Sequence, residues 1–315
     1  MHAAVVNSFD RPPTYQSIPT PTPQTPDEAL VDVLAVGLHP RVRSQADGSH
    51  YTSSDELPLV PGIDGVGRAP DGTLRYFVLP DTAIGALAEQ TIVDLRRSIV
   101  LADGADPVLV AAAMNPAMSS WIALRRRTSF QSGHNVLVLG ATGSAGQLAV
   151  QVAKHLGAGQ VIAAGRRPDR LAGLAELGAD VTVSLETDPT RDLGQAAREV
   201  DVVLDYLWGP PTAEAMLSVV MNRTDRGQAL TWIEIGSVAG PTAAIPSAAL
   251  RAARLQIVGS GQGSVPTRDI LAELPALATE ITNGAFRINA RTVPLSDIET
   301  AWNDTASEER IVITP

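Results

Sequence analysis

The sequence has no cysteine among its 315 residues. This absence excludes disulfide bonds, a thiol nucleophile and the thiolate-rich ligand sets that zinc usually takes. Aromatic residues make up only 4% of the chain, and Lys154 is its single lysine. No tyrosine lies four residues before Lys154, so the tyrosine–lysine pair of short-chain reductases is missing. A G-x-S-x-G elbow and a G-K-[S/T] phosphate loop are missing as well.

Charge and hydrophobic patterning exclude further classes of protein. The net charge of −10 leaves no basic face to neutralise phosphates, so we expect no nucleic-acid partner. No run of 18 apolar residues occurs, and the first residues lack a basic flank followed by an apolar core. We therefore expect a cytoplasmic protein without a membrane partner. Its length suits two domains of ordinary size.

Residues 135–159 carry the strongest pattern. An unbroken apolar run at 136–139 predicts a strand buried on both faces of a parallel sheet. A turn of small residues follows, and then apolar residues recur at helical spacing. The turn reads A-x-G-x-x-G and comprises Ala141, Thr142, Gly143, Ser144, Ala145 and Gly146. Its bare amides at a helix N-terminus predict a diphosphate-binding site, although such a turn also occurs in other α/β proteins.

Arginines follow the second predicted strand, where a dinucleotide-binding fold selects its cofactor. An acid at this place suits the ribose hydroxyl of NAD, whereas arginine suits the 2′-phosphate of NADP. The chain has Gly165, Arg166, Arg167 and Arg170 there, and its nearest acid is Asp169. We therefore expect NADPH (NADP+), held by Arg166 and Arg170 with Arg167 as an alternate. A solvated basic loop is the other interpretation.

Further strands alternate with helices up to about residue 265, which predicts a doubly wound parallel sheet. Ligands of such sheets lie beyond the carboxyl ends of the strands. The predicted fifth and sixth strands end in residues that are accordingly candidates for the nicotinamide side of the site. These are Ile235, Gly236, Ser237, Gly259 and Ser260. Ser119 and Ser120, on a predicted helix just before the fingerprint, could face the cofactor or bond a neighbouring element.

The flanking parts of the chain are rich in predicted β-structure. We expect three segments, with 1–112 and 266–315 forming one discontinuous domain around a nucleotide-binding domain at 113–265. Residues 37–43 form a predicted polar loop that contains His39, and His50 and Tyr51 lie in a second polar stretch. His39 could serve the site or only hydrogen-bond its own loop.

The motifs together resemble the medium-chain dehydrogenase/reductase superfamily, and within it the zinc-independent quinone oxidoreductase branch. They are VLVLGATGSAG at 136–146, PGIDGVG at 61–67, DVVLD at 201–205 and RIVITP at 310–315. The resemblance covers the whole chain and implies a Rossmann domain with a GroES-like, β-rich catalytic domain. It implies Tyr51 as the residue that contacts nicotinamide or substrate, and Arg170 as a ligand of the 2′-phosphate. His39, Val42 and Leu185 depart from the residues that are usual in that branch.

The missing zinc ligands also bear on mechanism. Without a Lewis acid, hydrogen-bond donors must stabilise the developing anion, and they stabilise a delocalised anion best. We therefore expect hydride transfer from NADPH to a quinone or an α,β-unsaturated carbonyl, with Tyr51 and His39 as the catalytic residues and no metal. The alternative is an NADPH-binding sensor or partner-binding module with little turnover.

The apolar sixth strand predicts a homodimer paired through its edge.

Overall fold

The computed structural model describes residues 1–50, 52–53, 56–186, 189–304 and 309–315. The strands in chain order are β1 (His2–Val5), β2 (Thr14–Ser17), β3 (Glu28–Gly37), β4 (Asp64–Arg68), β5 (Leu74–Val78), β6 (Gln90–Asp94), β7 (Ser98–Val100), β8 (Val136–Leu139), β9 (Val161–Gly165), β10 (Val181–Ser184), β11 (Val202–Asp205), β12 (Leu230–Glu234), β13 (Leu255–Gly259), β14 (Ala290–Pro294) and β15 (Arg310–Thr314). The α-helices are α1 (Pro40–Ala46), α2 (Pro107–Arg126), α3 (Ser144–His155), α4 (Pro168–Ala172), α5 (Pro189–Ala196), α6 (Gly209–Asn222), α7 (Ser247–Ala252), α8 (Thr267–Thr282) and α9 (Ile298–Asn303).

The chain divides into two compact units. Unit 1 comprises Met1–Asn115 and Leu271–Pro315, and unit 2 comprises Pro116–Ile270. The two limits fall inside helices α2 and α8, so neither coincides with a break in secondary structure. The predicted domain limits at residues 112 and 265 stay a prediction.

Unit 2 contains a six-stranded parallel sheet in the order β10-β9-β8-β11-β12-β13. The order reverses between β8 and β11, so β8 and β11 lie side by side at the switch point where such sheets bind ligands. All four residues of β8 are fully buried, as are the corresponding apolar residues of β11. Burial on both faces explains why these strands read as apolar runs without polar alternation.

Unit 1 is built on a sheet in the order β14-β15-β3-β4-β5-β7, with β6 also paired to β3. β15, from the C-terminal part of the chain, pairs antiparallel with β3 from the N-terminal part. The unit is therefore discontinuous in sequence. The predicted fold class, a doubly wound parallel sheet with a separate, discontinuous β-rich domain, is confirmed.

One local prediction was wrong. Residues 40–46 form helix α1, whereas the sequence suggested a polar loop through residue 43. Pro40 occupies the start of the helix, where its missing N–H group costs nothing. His39 is the residue before it, in an extended conformation, and its carbonyl accepts the amide hydrogens of Val42 and Arg43.

Helix α2 is long and apolar enough to cross a membrane by length and composition alone, but 67% of its most apolar window is buried inside the protein. Core helices of soluble proteins pass the same test. The absence of a membrane partner stays a prediction.

Candidate functional site

The turn between β8 and α3 presents bare backbone at the carboxyl edge of the parallel sheet. Gly140 has φ +82°, a conformation that favours glycine, and its N–H and that of Ala141 both donate to the carbonyl of Ala164 at 3.0 Å. This pairing fixes the turn against β9. Gly143 and Ser144, at the start of α3, remain exposed. The first amides of a helix have no carbonyl partner within it, so this end can receive an anion.

The glycines of the turn have different tasks. A Cβ on Gly146 would lie 2.3 Å from the carbonyl oxygen of Gly140, so only glycine lets the first turn of α3 pack here. A Cβ on Gly143 would meet nothing nearer than 3.6 Å, and its φ of −82° suits any residue. Packing therefore does not require glycine at 143. An approaching ligand gives a reason for it, and the turn fits a dinucleotide diphosphate.

The end of β9 brings arginine beside this turn. Gly165 is buried, and a Cβ on it would lie 2.7 Å from Cγ2 of Thr142, so the two loops are in close contact. Arg167 donates to Asp169 at 2.6 Å, and this hydrogen bond holds the pKa of Asp169 below its usual value. Asp169 is thus engaged by an arginine. Arg166 is exposed and makes no hydrogen bond or ion pair with any residue that the structure describes.

Arg166 lines a cavity of about 340 Å³ in unit 2. The other walls include Leu185, Leu207, Pro210 and Val238, and they are mostly apolar. The volume is within the usual range of small-molecule sites. Such a cavity can take a flat apolar ring next to an anionic group.

Asp205, at the end of β11, shapes one side of this edge. Its carboxylate is fully buried and accepts four hydrogen bonds. The donors are the amides of Leu207 and Trp208 at 2.9 and 3.1 Å, the hydroxyl of Thr212 at 2.6 Å and the indole N–H of Trp232 at 2.9 Å. Trp208 has φ +51°. Asp205 therefore holds a strained turn in which Leu207 faces the cavity.

Tyr206, directly after Asp205, is buried, and burial raises its pKa to about 12. Its hydroxyl lies 2.9 Å from that of Ser119, and Ser119 donates its own hydroxyl hydrogen to the carbonyl of Pro116. Ser120 donates to the carbonyl of Ala117. Of the two interpretations of Ser119, hydrogen bonding to a neighbouring element is the one that the structure shows.

The ends of β12 and β13 complete the edge. Ile235 and Gly236 donate their amides to the carbonyl of Asp205, at 2.8 and 3.2 Å, and Ser237 is exposed. Ser260 is buried and donates its amide to the carbonyl of Glu234, while Gly259 is exposed. Every predicted cofactor residue, from Ala141 to Ser260, thus lies at or just beyond the carboxyl ends of four strands of one sheet. Whether they hold a cofactor stays a prediction.

In unit 1, His39 lies in a buried polar cluster. It is 2% exposed, and its Nε2 lies 2.8 Å from Oδ1 of Asp64. Tyr76 donates to the other oxygen of Asp64 at 2.8 Å. Burial lowers the pKa of His39, against the opposing effect of Asp64, and burial raises the pKa of Tyr76 well above its usual value. The nearby Arg310 is also buried, and burial lowers its pKa to about 10.

The proton on His39 can be assigned from these contacts. An ionised Asp64 only accepts, so Nε2 carries hydrogen and, in the neutral ring, Nδ1 offers a lone pair. Nδ1 is buried and has no partner among the described residues. Tyr51, the other predicted catalytic residue, lies outside the described residues. Its neighbour His50 is half-buried, and its Nδ1 lies 2.9 Å from the hydroxyl of Thr52.

Sequence reasoning missed Tyr206 and the Asp64–Tyr76–Arg310 cluster. Asp64 and Arg310 stand in motifs that were noticed, but their partners come from other strands. Within the described ranges, no group of three or more histidines or acids could hold a metal ion.

Comparison with known proteins places the chain among oxidoreductases. A family described as zinc-binding dehydrogenase matches residues 145–279, which lie largely in unit 2. A probable NADPH-dependent quinone reductase, tdiC, from Emericella nidulans is 32% identical to this chain, and the alignment covers 100% of both chains. An NADPH-dependent alkenal/one oxidoreductase of Arabidopsis thaliana is 29% identical over 58% of this chain and 50% of its own length.

Solved structures agree with these relatives. The quinone oxidoreductase of Thermus thermophilus, determined also in complex with NADPH, superposes with a TM-score of 0.81 at 25% identity over 100% of both chains. A mycobacterial protein complexed with NADPH has a TM-score of 0.81 at 21% identity, again over 100% of both chains, and supports the fold alone.

Proposed function

Because this chain belongs to the quinone-oxidoreductase-like branch of the medium-chain dehydrogenase/reductase superfamily, we propose that it transfers hydride from NADPH to a quinone or to the β-carbon of an α,β-unsaturated carbonyl, without a metal. It is an NADPH-dependent oxidoreductase. The observation that carries the proposal is the open turn at Gly143 with Arg166 beside it, an arginine that no described residue pairs. NADPH supplies the hydride from its nicotinamide ring when it is bound.

The chain's own groups bind the cofactor in two places. Amides at the start of α3 receive the diphosphate, since they point out of the helix and the helix dipole favours an anion there. Arg166 receives the 2′-phosphate, and Arg170 in α4 supports it from the next turn. Asp169 does not compete for the ribose, because its carboxylate is already paired with Arg167. This pairing explains why one acid near the site is compatible with NADPH.

The proposal that the reaction needs no metal rests on the amino-acid composition. Without cysteine, the chain lacks the thiolates that zinc-dependent relatives use as ligands. The anion that forms on hydride addition must then be stabilised by hydrogen bonds, which suffice best when its charge is delocalised, as in a quinone or an enone.

Tyr51 is the proposed donor to the acceptor's oxygen. His39, as the neutral ring that burial favours, presents Nδ1 as an acceptor and can donate from that atom only as the imidazolium. Asp64 fixes the tautomer and orientation of the ring. A proton for the product is accordingly assigned to Tyr51, the cofactor ribose or water.

The test is NADPH oxidation with a panel of quinones and enones, run alongside saturated ketones. Turnover with conjugated acceptors and none with ketones supports the proposal. Tight NADPH binding with no acceptor reduced would instead support the sensor alternative, for which the unusual His39 and Val42 are the motivation. Loss of activity after exhaustive chelation would contradict the metal-free mechanism.

We propose that the protein is a cytoplasmic homodimer. β13 ends the parallel sheet, and within the described residues it pairs with β12 alone. Its Leu255, Ile257 and Val258 are only partly buried, and the unpaired edge can accept the same strand of a second copy. Light scattering that finds only monomer across a concentration series would exclude the dimer.

A further inference from the structure

Two helices of unit 2 begin at the carboxyl edge of the sheet, and their first residues differ in chemistry. Helix α3 begins after a bare turn and presents amide hydrogens. Helix α6 begins at Gly209 and continues with two prolines, Pro210 and Pro211. Proline has no N–H group, so this end of α6 presents ring carbons where α3 presents donors. At this edge of the sheet, the start of α3 therefore suits an anion and the start of α6 suits an apolar ring.

One face of α6 extends this apolar wall and carries a single carboxylate. Pro210, Pro211, Glu214 and Ala215 all line the cavity, at a spacing that puts them on the same side of the helix. The cavity is also lined by Leu185, Leu207 and Val238. Val238 is 79% exposed, so a bound ring would cover an apolar side chain that is otherwise in water.

Glu214 is the acidic residue that lines this cavity, and two other acids near the same edge of the sheet are already bonded. Asp205 is saturated by four donors, and Asp169 is bound by Arg167. Glu214 is exposed and makes no hydrogen bond or ion pair within the described part of the chain, even with Arg166 of the same cavity. The cavity therefore combines apolar walls with one guanidinium and one carboxylate, neither of which is bonded to a residue that the structure describes.

We infer that Glu214 recognises the exocyclic amino group of the adenine ring of NADPH. The inference rests on the proposed function. Arg166 is assigned to the 2′-phosphate, and the ribose that bears this phosphate also bears adenine, so the apolar cavity next to Arg166 is the place for that ring. Adenine is flat and apolar on both faces, and its 6-amino group donates hydrogen. A carboxylate accepts from that group but is repelled by a 6-oxo group.

The experiment compares NADPH with deamino-NADPH, in which hypoxanthine replaces adenine and an oxo group replaces the amino group. Dissociation constants of the full chain are measured by calorimetry for both dinucleotides. We expect deamino-NADPH to bind at least about tenfold more weakly to the unmodified protein, which is the lower limit for one hydrogen bond to a charged group. The variant Glu214→Ala should weaken NADPH and bring the ratio of the two constants close to one.

Two further variants separate recognition from general effects. Glu214→Gln keeps an acceptor for the amino group and adds a donor for the oxo group, so it should retain NADPH affinity and gain deamino-NADPH affinity. Glu176→Ala removes an exposed acid of the same unit that does not line the cavity, and should leave the ratio unchanged. Circular dichroism verifies that each variant is folded.

The outcomes distinguish this inference from the function on which it rests. If NADPH binds and the unmodified protein does not discriminate, or if Glu214→Ala keeps the discrimination, the role of Glu214 is refuted and the proposed function stands. If neither dinucleotide binds, the proposed function fails and the inference fails with it.

Discussion

Replacing Gly143 by alanine should weaken NADPH binding strongly while leaving the stability of the protein almost unchanged. Gly143 has φ −82° and ψ 163°, which alanine adopts without strain, and the nearest atom to its added Cβ is the carbonyl oxygen of Gly140 at 3.6 Å. That distance is an ordinary van der Waals contact. Gly143 is also exposed, so the free energy of unfolding should change by no more than about 0.5 kcal/mol.

Binding should respond differently, because the methyl group would point into the space that the diphosphate needs to reach the amides of α3. A displaced phosphate loses at least one charge-assisted hydrogen bond, worth ~1.5–3 kcal/mol, which corresponds to roughly 10- to 150-fold in the dissociation constant. Calorimetric titration with NADPH measures the affinity, and urea unfolding of the unliganded protein measures the stability.

The matched control is Gly146→Ala, which should lower the free energy of unfolding, whereas Gly143→Ala should lower NADPH affinity alone. Its Cβ would lie 2.3 Å from the carbonyl oxygen of Gly140, whereas real contacts of a Cβ are essentially never under 3.0 Å. The turn must move, and overpacking of this kind costs about 1–3 kcal/mol of stability. If Gly143→Ala folds normally and binds NADPH as tightly as the unmodified protein, then the bare turn does not hold the diphosphate, and the reasoning is refuted.

The remaining predictions concern the 2′-phosphate of the cofactor, the buried carboxylate of Asp205 and the dependence of stability on pH. The double variant Arg166→Ala/Arg170→Ala should raise the dissociation constant for NADPH far more than that for NADH, since only NADPH carries the 2′-phosphate; equal losses in the two titrations would show that the arginines are only surface residues. Asp205→Asn replaces one carboxylate oxygen, which accepts two of the four hydrogen bonds, by an NH2 group that accepts none; it therefore leaves at least one buried donor, such as the indole N–H of Trp232, without an acceptor, and should lower the free energy of unfolding by about 1–3 kcal/mol in urea; an unchanged value would contradict this. Burial lowers the pKa of His39, so below about pH 6.5 the unfolded chain takes up a proton that the folded one does not. Unfolding free energies should therefore fall as pH drops below that value, by up to ~1.4 kcal/mol per pH unit from this residue, and His39→Asn should flatten the dependence; an equal slope in the variant would refute the assignment.

The parallel sheet was predictable because its strands are buried on both faces. The run at 136–139 has no polar residue that could mark another arrangement, and the bare turn after it has few structural alternatives. The discontinuous unit followed from β-patterns at both ends of the chain. Boundaries were harder, as at α1, where a helix of seven residues with a proline at its start looks like a loop.

The polar contacts between distant residues were not predictable. Asp64 meets Tyr76 and His39 only because β3, β4 and β5 pair in a particular register, which no local pattern specifies. Asp205 was visible as a strand end, yet its fourth donor comes from Trp232 on the neighbouring strand. Glu214 could not be distinguished from any other helical surface acid until the walls of the cavity were known.

The most direct test of the central claim follows the hydride itself. NADPH carrying deuterium at the transferred position of its nicotinamide is incubated with the protein and an enone, and the product is examined by NMR. The account predicts reduced product with deuterium on the β-carbon. Reduced product without deuterium at that carbon, or no reduction of any conjugated acceptor although NADPH binds, would contradict it.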